Sequence, residues 1–120
     1  MRGEEYLTRR EQYTLVAREG SSWVDGLLVM RALSNGLGFS RYGISVSKRV
    51  GTAVVRNRVK RLLREILRVA VLKPGMDIIF IARTPAATAN YAALKKSVEG
   101  LLSRANLLVE ENEGVCLRAN

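Results

Sequence analysis

The stretch Ser40-Arg41-Tyr42-Gly43-Ile44-Ser45-Val46-Ser47-Lys48-Arg49-Val50-Gly51-Thr52-Ala53-Val54-Val55-Arg56-Asn57-Arg58-Val59-Lys60-Arg61-Leu62-Leu63-Arg64-Glu65 changes its apolar period midway. From Ser40 to Ser47 the period is two: Tyr42, Ile44 and Val46 alternate with Arg41, Gly43, Ser45 and Ser47. That predicts a strand with an apolar core face and a small, polar opposite face. The small face suits either plain solvent exposure or the floor of a groove that an extended strand could approach. Gly51 closes the strand, and Thr52 or Ala53 opens a helix expected to run to about Leu72, before Lys73-Pro74-Gly75 stops it.

At roughly 100° per residue, Val55, Val59, Leu62, Leu63, Ile66, Val69 and Ala70 share one arc of this helix. Arg56, Asn57, Lys60, Arg61, Arg64 and Arg68 share another, Leu67 lies between, and Arg58 stands apart. Between Ser47 and Arg68 there are eight basic residues (with Lys48 and Arg49) and one acid, Glu65, so this segment holds +7 of the chain's +9. Like charges at i, i+4, such as Lys60 with Arg64, oppose helix formation by a few tenths of a kcal/mol per pair, roughly. Phosphates would offset that repulsion, with counterion release and bidentate arginine geometry as the driving terms. A solvated surface face, or a basic amphipathic helix lying on a membrane or in a calmodulin-like partner, is the alternative reading.

Outward from this stretch, Leu7 to Arg18 predicts a short helix capped by Thr8, with Glu11 completing a capping box. Gly20-Ser21-Ser22 breaks it, and Gly26 to Leu33 suits a strand. Ser34-Asn35-Gly36-Leu37-Gly38 reads as a tight turn, so the strand from Ser40 is expected to pair back antiparallel. Asp77 leads Ile78-Ile79-Phe80-Ile81-Ala82, an apolar run expected to be buried on both faces. Asn90 caps a third helix reaching about Ala105. One domain over residues 1–120 is expected, with 111–120 a loosely ordered tail.

Composition narrows the function. The 120 residues contain no histidine and one cysteine, Cys116, which leaves neither a Ser-His or Cys-His nucleophile nor a disulfide framework. A pI of about 10.4 points to a polyanionic partner. No run approaches the roughly 18 apolar residues of a membrane span, and Met1-Arg2-Gly3-Glu4-Glu5 lacks the apolar stretch of a signal peptide. A cytoplasmic location is expected.

The run from Gly43 to Glu65 resembles the signature of the bacterial ribonuclease P protein subunit, and the likeness extends from Leu7-Thr8-Arg9-Arg10-Glu11-Gln12-Tyr13 through Asp77-Ile78-Ile79-Phe80-Ile81-Ala82-Arg83 to the last helix. The resemblance implies an α+β fold: a compact α/β sandwich with an about four-stranded mixed sheet, three helices and a left-handed βαβ crossover, like the second domain of a small-subunit ribosomal protein. It implies a protein that joins a catalytic RNA to remove the 5′ leader of precursor tRNA. The RNA supplies the active site and binds magnesium, and the protein holds no metal and supplies no catalytic side chain. Catalytic-RNA contacts are then assigned to Lys48, Arg49, Arg56, Asn57, Arg58, Lys60, Arg61, Arg64 and Arg68. Leader contacts are assigned to Arg9, Arg10, Tyr13, Ser45 and Ser47, with Tyr13 at a position that is aromatic in relatives; a partly buried core ring is its alternative. Ala17 and Met30 fall where some relatives carry further aromatics, which would reduce stacking or move it to Phe39 or Trp23. The competing function is a ribosomal or general RNA-binding module without a role in catalysis. A protein-only nuclease would need clustered carboxylates, and the aspartates are only Asp25 and Asp77.

Overall fold

The structure, a computed structural model, describes Leu7 and residues 9–70 and 72–107. The proposed cap Thr8, Cys116 and the tail lie outside the described residues. Three strands and three helices fall close to where periodicity places them. One strand was not anticipated, and the order of the strands differs from the expectation.

The apolar run becomes β4, Met76–Ala82, and it is central as predicted: Ile78 and Phe80 belong to the main core, while Ile79 and Ile81 belong to a smaller core on the other face. Strand β2, Leu28–Ser34, pairs antiparallel with it, Met30 opposite Phe80. Strand β3, Arg41–Ser45, pairs parallel with it, Ile44 opposite Phe80. The predicted antiparallel pairing of Ser40–Ser47 with Gly26–Leu33 is therefore wrong, because β4 lies between them in the order β1-β2-β4-β3. The turn itself was read correctly, with Gly36 at φ 72°, but it bridges a strand's width. The Asn35 N–H donates to the Gly75 carbonyl at 2.8 Å, fastening the exit of β2 to the turn before β4.

The Asp77 carboxylate fixes this arrangement. Arg41 donates to it through Nε and a terminal nitrogen at 2.8 and 2.7 Å, and Asn35 Nδ2 donates at 2.8 Å. Asp77 is 6% exposed, so its charge is kept only because donors from the β2–β3 loop and from β3 converge on it. Its hydrogen bonds push the Arg41 guanidinium above its ordinary pKa, against the opposing effect of burial.

The actual hairpin is made by Asp25. Its Oδ1 accepts the N–H groups of Leu27 and Leu28 at 2.9 and 3.0 Å, turning β2 back on β1, Ser21–Val24. Gly20-Ser21-Ser22, read as a break, thus opens an edge strand. Burial acts to raise the Asp25 pKa, but the Ser97 hydroxyl at 2.6 Å, the two amides and Arg104 outweigh it and hold it below the usual carboxylate value.

Helix α1, Arg10–Glu19, begins later than expected: Arg9 occupies the cap position, its N–H donating to Gln12 Oε1 at 3.0 Å. Helix α2, Ala53–Val69, starts at Thr52, whose hydroxyl accepts the Val55 N–H, and stops before the expected Leu72. Its buried residues are Val59, Leu63, Ile66 and Leu67. Leu67 thus joins the core, whereas Val69, assigned to the apolar arc, is 59% exposed in the last turn. Helix α3, Tyr91–Arg104, is capped by Asn90 as predicted, with Oδ1 accepting the Ala93 N–H at 2.8 Å. A 3-10 turn, Thr84–Thr88, joins β4 to α3. Leu7 and Val16 pack with Ile79 on the α1 side, and α2 and α3 bury the large core on the opposite side. The fold is the α+β sandwich expected, with α2 as the crossover between parallel strands β3 and β4.

Replacing Asp77 with Ala leaves the half-buried Arg41 without its carboxylate partner and removes the acceptor shared by both flanking connections. The expected loss is about 2–4 kcal/mol, somewhat below that of a wholly buried pair because Arg41 keeps some solvent. Urea unfolding of the variant against the parent protein measures it.

Candidate nucleic-acid interface

Burying Val59, Leu63, Ile66 and Leu67 leaves α2 no choice about what faces outward. Asn57, Arg61, Arg64 and Arg68 are exposed, Lys60 is half-buried at the margin, and Lys48 and Arg49 stand exposed on the loop leading into the helix. Arg68 pairs with Glu65 at 2.6 Å, which holds its guanidinium above its usual pKa. Lys48, Arg49, Lys60, Arg61 and Arg64 make no hydrogen bond or ion pair to the described residues. A cationic surface whose charges go unanswered among the described residues is suited to a polyanion.

The two arginines flanking Asn57 behave differently. Arg56 Nε donates to the Gly51 carbonyl at 3.2 Å. Arg58 donates to the carbonyls of Ala87 and Ala89 at 3.3 and 2.7 Å. Both are half-buried, so the structure brings Lys48, Arg49, Asn57, Lys60, Arg61, Arg64 and Arg68 to the surface and turns Arg58 toward the protein.

A second surface lies across the sheet, between α1 and β3. Tyr13 projects from α1 onto Gly43, where an added Cβ would stand 2.6 Å from the ring carbon Cζ. Only glycine admits the ring at this point. The Tyr13 hydroxyl donates to the Leu7 carbonyl at 3.2 Å, and the Leu7 N–H donates to the Tyr42 carbonyl at 2.9 Å, so Leu7 is fastened to β3. Burial raises the phenol pKa above its ordinary value. Tyr13 is half-buried, and Ser45 and Ser47 beyond it, together with Arg9 and Arg10 at the start of α1, are exposed. The small face of β3 is therefore walled by α1 at Gly43 and open at its far end.

Ser47 also lines a cleft of about 360 Å³ with Arg49, Val50, Ala82, Arg83, Thr84 and Pro85. It sits at the carboxyl ends of the parallel strands β3 and β4, the position at which such sheets commonly bind ligands. Arg83 and Thr84 were not assigned to a site from sequence; their signal was their place just after a buried strand, which has no meaning until that strand is known to run parallel to β3. Arg83 also donates to the Asp25 carbonyl at 2.8 Å.

The proposed substitute stacking residues are not here. Met30 is fully buried in the core on the α2 and α3 side, and Trp23, its partner in the β1–β2 register, packs on the same core. Phe39 lies in the β2–β3 loop, before β3 begins and away from Ser45 and Ser47. Ala17 is on the α1 surface, its carbonyl accepting from Arg31 at 2.5 Å.

A family model described as Ribonuclease P matches residues 1–106. The ribonuclease P protein component of Dehalococcoides mccartyi is 47% identical over 120 residues, 100% of each chain. That of Clostridioides difficile is 39% identical over 106 residues, 86% of this chain and 93% of that protein. Among solved structures, a Staphylococcus aureus RNase P protein mutant with defective mRNA degradation activity superposes with a TM-score of 0.82 at 30% identity, covering 88% of this chain and 91% of that one. The RNase P protein from Thermotoga maritima gives 0.76 at 32% identity, covering 83% and 96%.

Gly43→Ala is expected to displace the Tyr13 ring, since a flexible side chain yields before a strand does. Its phenol pKa then falls back toward the ordinary value of about 10. NMR titration of labelled tyrosine follows this directly, and an unaltered Tyr13 pKa would show that the ring does not depend on the glycine.

Proposed function

This chain belongs to the bacterial ribonuclease P protein family, as the partner of the ribonuclease P RNA, and we propose that its two surfaces divide the work between that RNA and the substrate. The outer face of α2 with Lys48 and Arg49 binds the catalytic RNA. The surface from Arg9, Arg10 and Tyr13 along Ser45 and Ser47, ending at the Arg49–Arg83 cleft, binds the 5′ leader of precursor tRNA. The observation that carries this reading is unanswered charge on one surface: five cations without a partner among the described residues, Lys60, Arg61 and Arg64 on α2, on a face fixed by the core beneath it, and Lys48 and Arg49 on the loop leading into it.

In this reading the RNA performs the cleavage and holds the magnesium that activates water. The protein's own part in this reading is to bind and to orient. Tyr13 offers one face of an aromatic ring for a base to stack on, worth about 1–3 kcal/mol where the ring is accessible. Ser45 and Ser47 bring no bulk, so an extended strand can lie close to β3 beside it. Arg83, on the far side of the cleft from Arg49, supplies charge for the leader's phosphates.

Reconstitution with a bacterial ribonuclease P RNA tests the division. At limiting magnesium the protein should raise precursor cleavage, and Tyr13→Ala should weaken precursor binding while leaving mature tRNA unaffected. A general RNA-binding module would show no preference for the precursor carrying a leader. For the α2 surface, Arg61→Ala should lower the slope of log affinity for the catalytic RNA against log salt by about 0.7–0.9; an unchanged slope would place the RNA elsewhere.

A further inference from the structure

We propose that Arg58 is a positioning residue: its guanidinium clamps α2 to the end of the 3-10 turn and so sets the rotation at which the cationic face meets RNA. The inference rests on the reading of that face as the RNA surface.

Three observations converge on it. Arg58 lies outside the arc that carries Asn57, Lys60, Arg61 and Arg64, so a ligand centred on that arc meets it last. Its two terminal nitrogens reach two carbonyls, Ala87 O at 3.3 Å and Ala89 O at 2.7 Å. Those oxygens have no other backbone partner among the described residues: Ala89 N–H turns back to Ala86 O, and the ladder of α3 begins with Asn90, whose carbonyl accepts from Leu94. They are acceptors left over where the 3-10 turn ends, and the guanidinium donates to both of them.

The geometry also explains why the residue is arginine. The planar fork presents two N–H groups to two acceptors at once, whereas a lysine ammonium would hold one and leave the other partly desolvated. Arg56 and Arg58 lie roughly 160° apart around the helix, and each grips a carbonyl, Arg56 that of Gly51. The two guanidiniums brace opposite flanks of the first turns, and Asn57 between them is exposed. The Arg56-Asn57-Arg58 motif is thus two braces around one outward-facing group.

The test compares Arg58→Ala, Arg58→Lys and Arg61→Ala. Each is assayed for thermal unfolding as free protein, and for affinity to ribonuclease P RNA across a salt series, at a temperature where all are folded. Positioning predicts that Arg58→Ala lowers Tm by about 5 °C and weakens RNA binding roughly tenfold with the salt slope unchanged. Arg58→Lys, which keeps the charge, should fail to restore affinity. Arg61→Ala should do the converse, reducing the slope with Tm unmoved. A reduced slope for Arg58→Ala, or full rescue by lysine, would make Arg58 an RNA contact and overturn the proposal. So would a lowered Tm with unchanged affinity, which would leave it merely structural. Should Arg61→Ala leave RNA binding untouched while Arg58→Ala lowers Tm, the clamp stands as a protein contact but the RNA reading of this face fails, and positioning with it.

Discussion

A single buried carboxylate decides how the sheet is ordered. Asp77, at the start of the central strand, accepts from Arg41 on β3 and from Asn35 in the loop leaving β2. Without those donors its charge could not stay inside the protein. With them, the chain leaving β2 is held at the near end of β4 and β3 is held beside β4 in parallel register. A parallel pair cannot be closed by a short turn, so a crossover is required, and α2 is that crossover. The place of the cationic helix therefore follows from a charge pair some distance away, on a part of the sheet that carries no proposed contact with RNA.

The elements were legible in the sequence because their causes are local. Alternation from Tyr42 to Val46, the apolar run of β4 and the Asn90 cap each state what a few neighbouring residues prefer. Adjacency was not legible. Ser34 to Gly38 specifies a turn with the same residues whether the next strand lies beside β2 or one place further on; the difference resides in Asp77, some forty positions away in sequence. The four-residue β1 was hidden for a related reason, since Ser21 and Ser22 prefer loops and become a strand only because β2 supplies the pairing.

The candidate site divides in the same way. The cationic arc could be read directly, because a helical wheel is a local construction and the core had to lie opposite. Arg58 could be seen to stand apart, but its carbonyl partners are brought near by the path of the 3-10 turn. The proposed leader surface rests at Tyr13 on family likeness alone, and what the sequence did not show is the glycine beneath its ring. Trp23 was misjudged as a possible stacking group, and Met30 as a position on the stacking surface, because alternation shows which residues share a face of a strand without showing which helix covers that face.

The fastening of Leu7 along β3 also bears on how the protein keeps its own company. Sheet edges are templates on which another chain can add a strand. Here one edge already has the Leu7 N–H on the Tyr42 carbonyl. The other edge is only four residues long, with the Arg104 guanidinium on its last carbonyl, Val24 O, at 2.8 Å. Edges occupied in this way leave a second strand little to extend, and the bond that covers the β3 edge is the same one that fastens the chain just ahead of α1.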